Sequence, residues 1–145
     1  MNNITVAIAA DHAGYGLKEE LKKFVSDLGY DILDCGTNSQ ESVDYPDFGK
    51  AVADSIIGGR AERGVLVCGT GIGISISANR YQGIRAAVCH DVTTARYARE
   101  HNDANVIALG ARIIGTSVAK DCLNVFLSTP FENNERHLKR IMKLD

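Results

Sequence analysis

The sequence predicts a three-layer α/β domain built on a five-stranded parallel sheet. Five short apolar runs lack polar alternation, as strands buried on both faces do. Stretches with helical spacing of apolar residues separate them, the order expected of a parallel sheet covered by helices. The 145 residues suit one domain, since domains commonly take about 100–200 residues.

The first strand is read at Thr5–Ala10. Leu17, Leu21, Phe24, Val25 and Leu28 then share one helical stripe, with Lys18, Glu19, Lys22 and Asp27 outside it. Gly29 ends that helix. Tyr30–Cys35 is the second strand, and a polar loop covers Gly36–Tyr45. Pro46 opens a helix with Phe48, Val52 and Ile56 as buried candidates, broken by Gly58 and Gly59. Gly64–Cys68 is the third strand, and a glycine-rich turn, Gly69–Gly73, leads into a short helix through Asn79. Ile84–Cys89 is the fourth strand, followed by a helix that Asp91 can cap and that carries Ala95, Tyr97 and Ala98. Asn105–Leu109 is the fifth strand. Thr116 or Ser117 starts a helix with Val118, Cys122, Val125 and Phe126 on its inner side. After Thr129 and Pro130, a last helix over residues 133–144 holds Leu138, Ile141 and Met142. No repeat or linker divides residues 1–145, and strand order is not legible in the pattern.

Sixteen Lys and Arg stand against eighteen Asp and Glu, a net charge of -2. That balance argues against general affinity for nucleic acid or anionic membrane. No apolar run approaches the roughly 20 residues of a bilayer span, and Met1–Ile4 lacks the marks of a signal peptide. The expectation is a cytoplasmic protein. Cys35, Cys68, Cys89 and Cys122 are widely spaced, so neither a zinc site nor a redox dithiol is signalled. Four reduced thiols are expected.

Ligands of such sheets bind where strands end and loops to helices begin. Asp11 and His12 follow the first strand, Cys68–Ser75 the third, His90 and Asp91 the fourth, and Arg112 the fifth. Gly69, Gly71 and Gly73 at a strand-to-helix turn let backbone N–H groups face an anion. The turn lacks the Gly-Lys-Ser/Thr of a P-loop, and its glycines miss the dinucleotide spacing. An oxyanion or phosphate nest fits better. Cys68 stands immediately before that nest, with Thr70 two residues on. Thiolate is the reactive form of cysteine and gains weight beside a helix N-terminus. A base beside an oxyanion nest is what proton removal alpha to a carbonyl requires. Arg136 and Arg140, four apart on the last helix, share a face suited to phosphate oxygens.

Asp11-His12, Gly36-Thr37, Val43–Pro46, Cys68–Ser75, Gly83–Ala86, His101–Val106 and Gly110–Arg112 stand in the order of a known family. Over almost its whole length the chain resembles the type B ribose-5-phosphate isomerases of the ribose/galactose-phosphate isomerase family. The resemblance implies a Rossmann-like domain without metal or cofactor. It also implies a homodimer or dimer of dimers with sites assembled between subunits. The implied reaction interconverts ribose 5-phosphate and ribulose 5-phosphate, a step of the pentose phosphate pathway, through a cis-enediol. Carried over by position, Cys68 is the base, Thr70 and His101 help open the furanose ring, and Asp11 binds sugar hydroxyls. Tyr45 borders the site, and the amides of Gly69, Gly71, Ile72 and Gly73 hold the enediolate. His12, Arg112, Arg136 and Arg140 take the phosphate, with Asn102 assisting near the sugar.

The family commonly carries Gly-Gly-Arg-His before its last helix, whereas here Phe131–His137 lacks the glycines and is one residue longer. Some members act on six-carbon phosphates and lack the base cysteine or the histidine; this chain keeps both. The alternatives are an isomerase of allose or galactose 6-phosphate and a non-catalytic sugar-phosphate-binding subunit.

Overall fold

The computed structural model describes residues 3–145. Its strands are β1 (Thr5–Ala10), β2 (Asp31–Asp34), β3 (Arg63–Cys68), β4 (Ala86–Val88) and β5 (Val106–Gly110). Its helices are α1 (Tyr15–Asp27), α2 (Tyr45–Ile57), α3 (Ile72–Asn79), α4 (Val92–Asn102), α5 (Thr116–Ser128) and α6 (Glu135–Met142). The strands form one parallel sheet in the order β2-β1-β3-β5-β4. The second and fourth strands are shorter than the sequence predicts, as befits edge strands paired on one side only.

Alternation along the three central strands divides the core. Val6, Ile8, Val65, Val67, Ile107 and Leu109 pack towards α1, α4 and α5, where Leu21, Ala95 and Phe126 are buried. Ala7, Ala9, Leu66, Cys68 and Ala108 face α2 and α3, meeting Val52, Ala53 and Ile74. Burying an aliphatic side chain of this kind contributes about 1.5–3 kcal/mol.

Two helical faces differ from expectation. Lys18, placed outside the apolar stripe by its spacing, is fully buried. Its ammonium reaches Asp34 at 2.8 Å and Glu19 at 3.2 Å, and Lys22 also meets Asp34 at 2.8 Å. The buried charge is thus paired on the edge strand, as burial of an ammonium requires. Val118 is 42% exposed. It lies off the stripe that Ala119, Cys122, Leu123 and Phe126 make in α5. On α6, Leu138 and Met142 are also exposed, so this apolar side of the helix is left open among the described residues.

Topology sorts the loops. The chain moves from β1 outwards to β2 and then returns to the other side of β1 for β3. The carboxyl ends of β1 and β3 therefore flank a switch point, where such sheets bind ligands. α4 runs back from the carboxyl end of β4 to the amino end of β5. His101 and Asn102, at its C-terminus, consequently lie at the opposite edge. There the Arg85 Nε donates to the carbonyls of Asn102 at 3.1 Å and Asp103 at 2.9 Å. The chain terminus closes on the same edge, with Gly83 N–H donating to Asp145 at 3.1 Å.

Candidate active site

Three strands bring their ends into one row. Ala10 pairs with Val67, and Cys68 pairs with Gly110. Asp11 therefore follows β1 beside Cys68, its N–H donating to the Val67 carbonyl at 3.2 Å. The Asp11 carboxylate is buried and accepts from Ala13 N–H at 3.0 Å and Gly14 N–H at 3.1 Å. These bonds hold its backbone turn and its aim together. Gly14 is required there, because a Cβ would strike the Val67 backbone.

Cys68 closes β3 and is 5% exposed. Its Sγ accepts from the Gly71 N–H at 3.1 Å, and the Thr70 hydroxyl oxygen accepts from Ile72 N–H at 3.1 Å. Two amides expected to face an oxyanion, those of Gly71 and Ile72, are thus engaged within the turn. Among the described residues, the amides of Gly69 and Gly73 make no such bond within the turn. Gly71 caps α3 with φ +79, and a Cβ there would lie 3.0 Å from the Leu109 carbonyl carbon. Only glycine satisfies both conditions without strain.

The remaining carboxyl-edge residues surround this turn. A Cβ on Gly73 would lie 2.8 Å from the Tyr45 ring, so glycine lets the half-exposed tyrosine lie against the turn. A Cβ on Gly69 would lie 3.0 Å from the Arg112 guanidinium, whose backbone N–H donates to the Gly69 carbonyl at 3.0 Å. His12 accepts from Val43 N–H through Nδ1 at 3.1 Å, leaving its Nε2 to donate to a ligand. Asp11, His12, Tyr45, Cys68, Thr70, Ile72, Gly73 and Arg112 are thereby gathered at one edge.

Four sequence-predicted residues are not. His101, Asn102, Arg136 and Arg140 belong to the amino edge, where α6 packs beside α4. The His101 and His137 rings stack at 4.6 Å, and Tyr97 stacks on the other side of His101 at 4.7 Å. Arg136 and Arg140 are exposed. Ligand atoms of His101, Glu132 and His137 lie within 4.8 Å of one another. The stacked imidazoles are inclined by only 22°, so their lone pairs lie in nearly parallel, separated planes, a poor arrangement for a shared ion.

The other thiols are placed differently. Burial pushes the Cys89 thiol up to about 11, against a hydrogen bond with Thr94, and burial also pushes Cys122 up. Both stay protonated near neutral pH. Cys35 lies beyond the edge strand, 3.5 Å from the Ser55 hydroxyl. Cys68 alone stands in the row with Asp11 and Gly110. The sequence singled out His90 only as a residue following the fourth strand, yet its Nε2 accepts from the buried Gly110 N–H at 3.0 Å. Among the described residues, no helix is long and apolar enough to cross a membrane.

Known proteins resemble this chain over nearly its whole length. A family described as Ribose/Galactose Isomerase matches residues 6–144. The solved structure of a ribose 5-phosphate isomerase from Thermotoga maritima is 49% identical, covers 99% of each chain and superposes with a TM-score of 0.96. Ribose-5-phosphate isomerase B of Escherichia coli is 41% identical over 136 residues, 94% of this chain and 91% of that protein. Galactose-6-phosphate isomerase subunit LacB of Clostridium acetobutylicum is 39% identical over 142 residues, 98% of this chain and 82% of that protein.

Proposed function

The chain belongs to the ribose/galactose isomerase family of sugar phosphate isomerases, and from that premise we propose that it interconverts ribose 5-phosphate and ribulose 5-phosphate. The observation that carries the reading is the Cys68 sulfur, held by Gly71 N–H beside Asp11 at the switch point. A proton acceptor there stands at the strand end where sheets of this kind bind small ligands. In the reaction, the Cys68 thiolate takes the C2 proton of the open-chain aldose. The electron pair left on carbon forms the C1–C2 double bond of the enediolate, and the former carbonyl oxygen takes the negative charge. Return of the proton to C1, with a proton moving from O2 to O1, completes the ketose. The amides of Gly69 and Gly73 stabilise the enediolate charge, and Asp11 orients the hydroxyls.

Ring opening and phosphate binding need the residues of the amino edge. A second copy of the chain supplies them, presenting its His101 and Asn102 to the carboxyl edge of the first. The exposed Ile72, Ile76, Leu138 and Met142 support such pairing, because they leave apolar surface on both elements concerned. His101 then exchanges a proton with the ring oxygen alongside Thr70. Arg136 and Arg140 of that copy join His12 and Arg112 around the phosphate dianion. A five-carbon substrate is favoured over the six-carbon one by the joint presence of Cys68, Thr70 and His101. The 49% identity to the Thermotoga protein over its full length points the same way.

The test is a comparison of initial rates on ribose 5-phosphate, allose 6-phosphate and galactose 6-phosphate. The expected result is the largest kcat/KM for the pentose. Faster turnover of a hexose phosphate would reassign the substrate, and no isomerisation of any of them would overturn the enzymatic reading.

A further inference from the structure

We propose that His90 is a positioning residue for the isomerase site, acting as a side-chain rung that extends the sheet beyond the end of β4 and holds the turn bearing Arg112. Alternate residues of β5 face β4: Val106 N–H donates to the Arg85 carbonyl at 3.2 Å, and Cys89 N–H donates to the Ala108 carbonyl at 3.2 Å. With a period of two, Gly110 is the next residue facing that way. β4 has already ended at Val88, and the chain turns into α4, capped by the Asp91 side chain accepting from Thr94 N–H at 2.7 Å. Among the described residues no backbone carbonyl takes the Gly110 N–H. The His90 Nε2 does so at 3.0 Å, which places the imidazole proton on Nδ1.

The bond matters because of what surrounds Gly110. Its Cα approaches the Thr70 backbone so closely that a Cβ would lie 2.7 Å from it. Its carbonyl accepts from Ile113 at 3.0 Å and Ile114 at 3.1 Å, while Ala111 N–H and Arg112 N–H donate to Cys68 and Gly69. A shift of Gly110 is therefore transmitted to Thr70 on one side and Arg112 on the other. The role assigned to His90 is exerted through the turn, by its bond to Gly110. A buried N–H left without a partner moves towards water if it can, and displacements near 1 Å at reacting groups are expensive in rate.

The kinetic consequence rests on the isomerase reading, whereas the hydrogen bond does not. In 15N-labelled wild-type protein, a scalar coupling across the bond between Gly110 N and His90 Nε2 is expected. Its absence would overturn the proposal irrespective of substrate. His90→Ala should lower kcat/KM about 10- to 100-fold, with KM raised through Arg112 and kcat lowered through Thr70. His90→Gln, whose amide oxygen can accept the same N–H, should recover most of that loss and restore slow exchange of the Gly110 amide. A merely structural role would lower the melting temperature and leave kcat per folded molecule unchanged, which overturns the proposal. Equal impairment of the Ala and Gln variants would overturn it too; if the Ala variant folds poorly, a folded Gln variant about 10-fold or more below wild type does so alone. Wild-type protein that isomerises no sugar phosphate would instead sink the isomerase reading, and the positioning role with it.

Discussion

Mixing two inactive variants should restore activity if the site is shared between copies. Cys68 is level with Gly110 at the carboxyl end of β5. His101 precedes Val106, the residue that begins the same strand. At a rise of about 3.3 Å per residue, the four steps from Val106 to Gly110 already span roughly 13 Å. Proton transfer needs partners near ~3 Å, so one chain cannot apply both residues to one sugar. On the proposed mechanism Cys68→Ala removes the base and should lower kcat by ~10²–10⁴. His101→Ala should suppress turnover of the closed-ring aldose as well. When the two variants are unfolded together in equal amounts and reassembled, random pairing makes about half the dimers mixed. Each mixed dimer holds one site with both substitutions and one with neither. Recovered activity should therefore approach a quarter of wild type, read by ribulose 5-phosphate formation. Activity no greater than the sum of the parents would refute the reasoning. So would a His101→Ala protein with wild-type kcat/KM.

Removing either arginine of α6 tests the phosphate end. Arg136→Ala or Arg140→Ala should raise KM roughly 10- to 150-fold, from about 1.5–3 kcal/mol per charge-assisted hydrogen bond, and Lys should recover only part of it. A KM within about twofold of wild type for both would leave His12 and Arg112 as the phosphate ligands. Gly71→Ala should cost about 1–2 kcal/mol for the left-handed backbone and lower kcat by moving the N–H that contacts Cys68; an unchanged urea midpoint and kcat would contradict this. At Asp34, burial pushes the carboxyl up but is outweighed by hydrogen bonds from Lys18 and Lys22, so its folded value lies below the ordinary one. Its contribution to stability is complete above the unfolded value near ~3.9 and is lost as pH falls through the folded value. Urea midpoints of wild type and Asp34→Asn should therefore converge towards acid, and parallel curves would exclude this origin.

Much of this protein was legible in its residues alone. A strand covered on both faces must be apolar throughout, so Thr5–Ala10 and Gly64–Cys68 stand out without any knowledge of their neighbours. A strand-to-helix turn with Gly71 at its cap announces itself because few other residues accept that backbone. Cys68, Thr70 and Asp11 were accordingly identifiable as residues following strands. The burial of Lys18 was not, since its spacing on α1 marks a surface position and its partner Asp34 comes from a separate edge strand. Nor was the role of His90 legible, because a bond to Gly110 exists only if β4 lies beside β5 and stops short of it. The separation of His101, Arg136 and Arg140 from Cys68 likewise depends on the direction in which α4 returns and on where α6 packs. Local patterns record what one segment must bury. Strand order and helix direction decide which segments meet, and they arise from packing between residues far apart in the chain.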